Sequence, residues 1–584
     1  MVTIIRCLSV LGIVLFGGSF CEKCFADSDL QSVVQKDSTK KDGIHREFRI
    51  DKQYLHLPVK NGAPKRYVDI LVGGKTVREF EIELPAVSEK PDFWVFLDVA
   101  EFKNKTLTVQ LVDANNADPN VFSSLTLDGQ IKGSETMYHE KLRPQFHFTS
   151  RRGWNNDTNG LVYYNGEYHL FYQHNPYGWK WGNMTWGHAV SKDLVHWTEL
   201  PDALHPDELG TVFSGSAVVD WGNTSGFQTG EEKVLVCMYT SAGGTNVWSK
   251  GKPFTQSIAY SNDRGRTWSK YENNPVLGHI AGENRDPKII WNDQKNEWVM
   301  ALFLDGTTYS LHTSPDLRKW KKICDVNLLG CSECPDFFPL AVDGDSKKMK
   351  WVFWAANGKY VLGDFDGNTF RQTSEIIPYY TGSCAYAGQT WSDIPASDGR
   401  RIHCAWMRQD MQGMPFNQML TFPVVLKLRT TKQDGIRIFT EPVQEIERLH
   451  SKSYVFDETS LSKDSEQINK INPELLHVRS EFLINDGTCG FNLNGVDVIY
   501  NAKTKELGCS NLTAKLNSID GKIRLEILVD RASIEIWAND GLVYMPVSQV
   551  LVNNKKSISI IRTGDAKVNK VEIFELKSAW NKAI

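Results

Sequence analysis

Helical periodicity is scarce throughout this chain, which leaves an all-β reading of its 584 residues. An excess of one charge is missing too. The net charge is only -4, with Lys and Arg interspersed among Asp and Glu, so no basic stripe of the kind a nucleic-acid partner needs is present. Beyond the first 26 residues, no apolar run is long enough to span a membrane. Cysteines are too scattered for a disulfide framework. Of eleven, Cys7, Cys21 and Cys24 fall near the N-terminus, and the other eight are spread between Cys237 and Cys509. Cys331-x-x-Cys334 has no second CxxC and no nearby His pair, which argues against a zinc or redox site. Cys334 reads instead as a small, weakly polar neighbour of Glu333.

Aromatic residues are abundant, with 18 Trp, 19 Tyr and 28 Phe. They fit a Trp-rich β core, and they equally fit carbohydrate binding, where flat rings pack on the C–H faces of sugars. The N-terminus has the form of an export signal over residues 1–26. Arg6 supplies charge, Cys7 to Phe20 is apolar, and Cys24-Phe25-Ala26 offers a cleavage site. A lipid anchor on Cys21 is the alternative, although Phe20 is large for the position before it. Residues 27–45 are polar and read as a linker. Residues 46–136 alternate in short runs such as Thr106 to Val112, with turns at Asn61-Gly62 and Gly73-Gly74, and form a small accessory β domain.

Residues 137–440 contain an internal repeat. Ser191-Lys-Asp193-Leu-Val-His-Trp197 returns as Ser261-Asn-Asp263-Arg-Gly-Arg-Thr-Trp268 and as Ser314-Pro-Asp316-Leu-Arg-Lys-Trp320. Asp364 to Phe370 is a looser echo. Each copy follows a strand-like run, so each is a tight polar turn between strands with Trp tucked beneath it. Recurrence at this spacing predicts a β-propeller. Residues 441–584 return to strands separated by Asp-Gly and Asn-Gly turns, the pattern of a β-sandwich.

Three carboxylates sit in dense motifs just ahead of strands: Asp157 in Trp154 to Gly160, Asp286 in Arg285-Asp286-Pro287-Lys288, and Glu333 in Cys331 to Phe338. Taken singly, each has a plain alternative: an Asn-rich turn, a surface ion pair, a solvated loop Glu. Taken together, at the entrances of propeller strands, they fit glycosidic bond cleavage, which needs two carboxyl groups and a third group to orient the sugar. The cysteines and phenylalanines around Glu333 suggest an apolar setting, which would raise its pKa as a general acid requires.

These motifs resemble glycoside hydrolase family 32, the invertases, inulinases and levanases. Phe171 to Pro176, Trp181 to His188, Phe213-Ser214-Gly215-Ser216 and Val529 to Glu535 extend the resemblance to about three quarters of the chain. It implies a five-bladed propeller joined to a β-sandwich. It also implies Asp157 as nucleophile, Glu333 as acid/base and Asp286 as transition-state stabiliser. Asn156, Gln173, Trp181, Phe213, Ser214 and Arg285 match positions around the fructosyl unit, and Trp154, Asn155 and Trp391 complete the expected substrate-binding set. The chain departs from the family at Asn155 and Thr158, where Met and Pro are usual, which puts the pocket shape near Asp157 in question. The implied reaction is hydrolysis of fructan or sucrose with retention, with the two carboxyls about 5–5.5 Å apart and no metal or cofactor. An inverting arabinan or xylan hydrolase and a non-catalytic fructan-binding protein are the competing readings.

Overall fold

A computed structural model describes residues 43–463, 467–552 and 555–580. The expected export signal, the Cys21 anchor and most of the expected linker lie outside these residues. Among the described residues, no helix is long and apolar enough to cross a membrane.

The described chain is almost entirely strand. It begins with two small sheets. One holds His45–Arg49, Lys65–Val72, Lys75–Glu83 and Thr106–Leu111; the other holds Tyr54–Val59, Phe93–Asp98 and Thr126–Asp128. Alternation buries Leu55, Leu57, Val68, Ile70, Leu107 and Val109 in a core of their own.

Five antiparallel groups of four strands follow. Their first strands are Gly153–Tyr164, Thr211–Asp220, Arg285–Asn292, Asp336–Val342 and Ala385–Thr390. These neighbour one another in sequence order, and the last returns to lie beside the first. A short strand, Phe416–Asn417, pairs in parallel with Gly153 and Trp154 and helps to close the ring.

The repeated turn joins the third and fourth strands of the first three groups. In each copy an Asp carboxylate caps the following backbone N–H groups: Asp193 those of Val195 and His196, Asp263 those of Arg266 and Thr267, Asp316 those of Arg318 and Lys319. The residue after the Asp is left-handed in all three, at Leu194, Arg264 and Leu317. Each Trp then closes the turn, with Trp197, Trp268 and Trp320 donating their indole N–H to a carbonyl three residues back. Asp366 repeats the capping in the fourth group, on Asn368 and Thr369.

The C-terminal part is a β-sandwich of a six-stranded and a five-stranded sheet. It is tied to the ring through a buried ionic cluster. His147 lies 2.8 Å from Asp530 and 2.7 Å from Glu535, with all three side chains out of solvent. Asp530 also accepts the N–H groups of Gln145 and Phe146, and Glu535 that of Phe422. Burial opposes a charged imidazole. Hydrogen bonds and attraction from the two carboxylates outweigh it and hold His147 at about 9.

Candidate active site

Two of the three carboxylates, Asp157 and Asp286, sit where the ladder of an inner strand is broken. The first strand is bulged between Asn155 and Thr158, the second between Val212 and Gly215, the third between Arg285 and Lys288, and the fifth between Tyr386 and Gln389. A bulge re-aims side chains that alternation would send to the opposite face. Asp157, Ser214 and Asp286 fall inside three of these bulges and turn toward one another. Glu333 lies in the turn before Asp336–Val342. Asp286, Glu333, Cys334 and Ala387 all adopt left-handed φ (64°, 36°, 40° and 49°), a strained state for residues with a Cβ.

Asp157 is held from three directions. Ser214 Oγ donates to Oδ2 at 2.7 Å and Asn156 Nδ2 to Oδ1 at 3.0 Å, while the Cys334 thiol reaches Oδ2 at 3.6 Å. Trp154 fixes Asn156 in turn, its indole N–H donating to Oδ1 at 2.8 Å. The same thiol lies 3.4 Å from Asp286 Oδ2, and the Cys334 backbone N–H donates to that oxygen at 3.0 Å. One cysteine therefore touches both aspartates. The described cysteines are free thiols, and among the described residues no cluster is arranged to hold a metal ion.

Arg285 donates to Glu333 Oε2 at 2.8 Å and passes 3.7 Å from Asp286. The Tyr386 hydroxyl donates to Glu333 Oε1. The apolar surroundings expected for Glu333 are not found. The Phe337 ring packs away into the core, and the Glu333 side chain, 27% exposed, meets a cation and a phenol instead. Burial, then the Glu333 charge, pushes Asp157 above the usual carboxylate range, against the bonds from Ser214, Asn156 and Cys334. Burial pushes Asp286 up as well; Arg285 opposes this, and the Glu333 and Asp157 charges add to it.

Of the other expected residues, Trp181 and Phe213 form an aromatic wall. Trp181 is 45% exposed and meets Phe213 edge-to-face at 6.0 Å. Gln173 is buried and donates to Val212 O at 3.0 Å, bracing the Phe213–Ser214 bulge from beneath.

Two expectations need correction. Trp391 faces no sugar pocket. It is fully buried, and its indole N–H donates to His169 O inside the core at 3.0 Å. Asn155 is also fully buried and lines no pocket; with its amide turned to suit the surrounding carbonyls, it donates to Asn417 O and Gln418 O at 3.2 Å. Thr158 is buried likewise and donates to Ala387 O at 3.1 Å. Both departures from the usual pattern thus serve ring closure behind Asp157.

Tyr386 was not foreseen. It is the last paired residue before the bulge of the fifth inner strand, and its partner Glu333 lies 53 positions away, so no contiguous motif marked it.

The rim is fixed by the N-terminal sheets. Tyr177 stacks on Phe80 at 3.8 Å, and Trp179 is buried in the N-terminal core. Asn183 exchanges two hydrogen bonds of 2.8 Å with the Glu81 backbone. These contacts bracket Trp181.

Comparison with known proteins matches this architecture. The family model for the glycosyl hydrolases family 32 N-terminal domain matches residues 147–442, and that for the family 32 C-terminal domain matches 445–575. A levanase from Bacillus subtilis is 37% identical over 495 residues, covering 76% of this chain and 72% of that protein. An extracellular exo-inulinase from Aspergillus ficuum is 30% identical, over 76% of this chain and 96% of that protein. Among solved structures, an exo-inulinase from Aspergillus awamori aligns with a TM-score of 0.67 at 26% identity, over 76% of this chain and all of that one. A fructofuranosidase from Schwanniomyces occidentalis complexed with fructose gives 0.66 at 25% identity, over 77% of this chain and all of that one. Both family matches begin after the N-terminal sheets.

Proposed function

This chain belongs to glycoside hydrolase family 32, and we propose that it cleaves β-fructofuranosyl linkages of fructans with retention, through a fructosyl-enzyme ester. The observation that carries this reading is the convergence of Asp157, Asp286 and Glu333, two of them bridged by one thiol and the third held by Arg285 and Tyr386. The five groups of strands are the blades of a five-bladed propeller, whose inner strands bring distant motifs to one axial mouth.

Asp157 is the nucleophile. Its carboxylate attacks the anomeric carbon of the fructosyl unit while Glu333 gives its proton to the departing glycosidic oxygen. Glu333, now ionised, takes a proton from water. The resulting hydroxide equivalent attacks the same carbon, displaces Asp157 and releases fructose with its original configuration. Asp286 accepts hydrogen bonds from sugar hydroxyls, which tighten as oxocarbenium character develops. Arg285 and Tyr386 orient Glu333. Asn156, Ser214 and Trp154 fix Asp157, and Trp181 with Phe213 forms the wall against which the sugar packs.

The relatives named levanase and exo-inulinase support levan and inulin as substrates. The exo-inulinase is named as extracellular, which supports export, in line with the N-terminal signal pattern. Fructose release from levan, inulin and sucrose tests the reading, with Asp157→Ala as control and anomeric NMR of the first product. Retained configuration with an inert variant is expected. Inversion, or equal inertness of both proteins on all three substrates, overturns it.

A further inference from the structure

The strands that carry the catalytic groups also wall a second hollow, of about 450 Å³. Ser214 and Val218 lie on one strand, and Asp286 and Ile290 on another; Val218 and Ile290 line the hollow. Four residues of strand span about 13 Å, so the hollow opens at the opposite end of the ring from the carboxylates. A buried ion pair stands between the two sites. Lys288 Nζ reaches Asp336 at 3.3 Å and donates to Thr390 O at 2.7 Å.

The lining has the chemistry of a sugar site. Trp221 is 54% exposed, yet it is not loose: its indole N–H donates to Asp393 Oδ1 at 2.9 Å. Asp393 is fixed in turn by the Val219 N–H on Oδ2 at 2.9 Å and by a left-handed backbone. A large aromatic surface is thus presented to solvent in a set orientation, with little side-chain freedom left to lose on binding. Trp291 adds a second indole to the lining, packed at 5.0 Å on Trp298. Around these rings stand Lys288 and Arg401 against Asp220, Asp293 and Asp393. Lys288 is already paired with Asp336, so carboxylates outnumber the remaining cation, which turns an anion away and leaves a neutral polyhydroxylated ligand as the better fit. The volume falls within the range of small-molecule sites, about 300–1,000 Å³.

We infer that this hollow is a second saccharide site, where a short stretch of fructan lies on Trp221 while other chain ends are cut at the catalytic mouth. The identity of the sugar rests on the function proposed above; the site itself rests on the lining. Calorimetric titration of the full-length Glu333→Gln protein with a levan-type tetrasaccharide tests it. Two sites per chain are expected. Adding Trp221→Ala should leave one, and adding Trp221→Phe, which keeps an aromatic face, should retain both. In the otherwise unaltered enzyme, Trp221→Ala should leave kcat/KM on sucrose unchanged, which also checks its folding, and raise the half-saturating concentration of polymeric levan several-fold. One site in both Glu333→Gln and its Trp221→Ala derivative overturns the inference and leaves the proposed function standing. No binding in either overturns the fructan reading, and the inference falls with it.

Discussion

Asn183→Ala isolates the grip of the N-terminal sheets on the substrate pocket. Asn183 lies two residues from Trp181. It accepts the Glu81 N–H at 2.8 Å, donates to Glu81 O at 2.8 Å, and donates to Asn175 Oδ1 at 2.9 Å. It also holds a left-handed φ of 49°, which Asn tolerates and Ala does not. Three hydrogen bonds at about 0.5–1.5 kcal/mol each, plus about 1–2 kcal/mol for the backbone, make roughly 2.5–6.5 kcal/mol in all, with a middle value of about 4. Part of this is recovered by water once the loop is free. If a third reaches the loop equilibrium, about 1.4 kcal/mol, the fraction of Trp181 in place changes about tenfold. The carboxylates stand on other segments and do not move. The expected result is therefore a KM on fructan raised about tenfold, with kcat within about twofold. Phe80→Ala, which removes the stack on Tyr177 from the other side, should move KM the same way. Initial-rate kinetics on levan and inulin measure this, with limited proteolysis reporting loop release. If the loop becomes cleavable in both variants while KM stays put, the N-terminal sheets do not shape the pocket.

Ser214→Ala removes a hydrogen bond that favours ionised Asp157, so the acid limb of the kcat/KM profile should move to higher pH by about one unit, the equivalent of about 1.4 kcal/mol; an unmoved limb would show that Ser214 does not tune the nucleophile. Tyr386→Phe should lower kcat/KM tenfold or more through loss of a charge-assisted bond to Glu333, with the fold and Tm retained. Trp391→Phe should lower Tm and leave KM alone, since the indole bonds only to His169 O. The His147 cluster predicts a pH-dependent stability. Its folded pKa of about 9 exceeds the unfolded value, so its contribution is fully present below about pH 6.5 and is lost as pH rises through 9. That contribution is on the order of 3 kcal/mol. The urea midpoint should therefore fall between pH 7 and 9.5 in the native protein and much less in His147→Gln. Equal pH dependence in the two would refute the assignment.

What the sequence disclosed and what it hid divide along local and long-range interactions. The Ser-x-Asp turns are closed by bonds spanning two to four residues, so the pattern that specifies them is contiguous and their repetition exposed the strand groups. The carboxylates were legible for a related reason: each needs a bulge or a left-handed turn, and the Asn, Gly, Pro and small residues that permit one lie beside it in sequence. Glu333 was misjudged because its partners are remote. Arg285 and Tyr386 stand 48 and 53 positions away and meet it only once the strands have converged. Trp391 failed in the opposite direction. An aromatic residue near an expected site looks like a sugar platform, but Trp391 follows the strand Ala385–Thr390 at its inner end, where side chains fill the space between groups. Tyr386, five residues earlier, occupies the mouth. Position along an inner strand, rather than residue type, decides whether an aromatic side chain meets sugar or core.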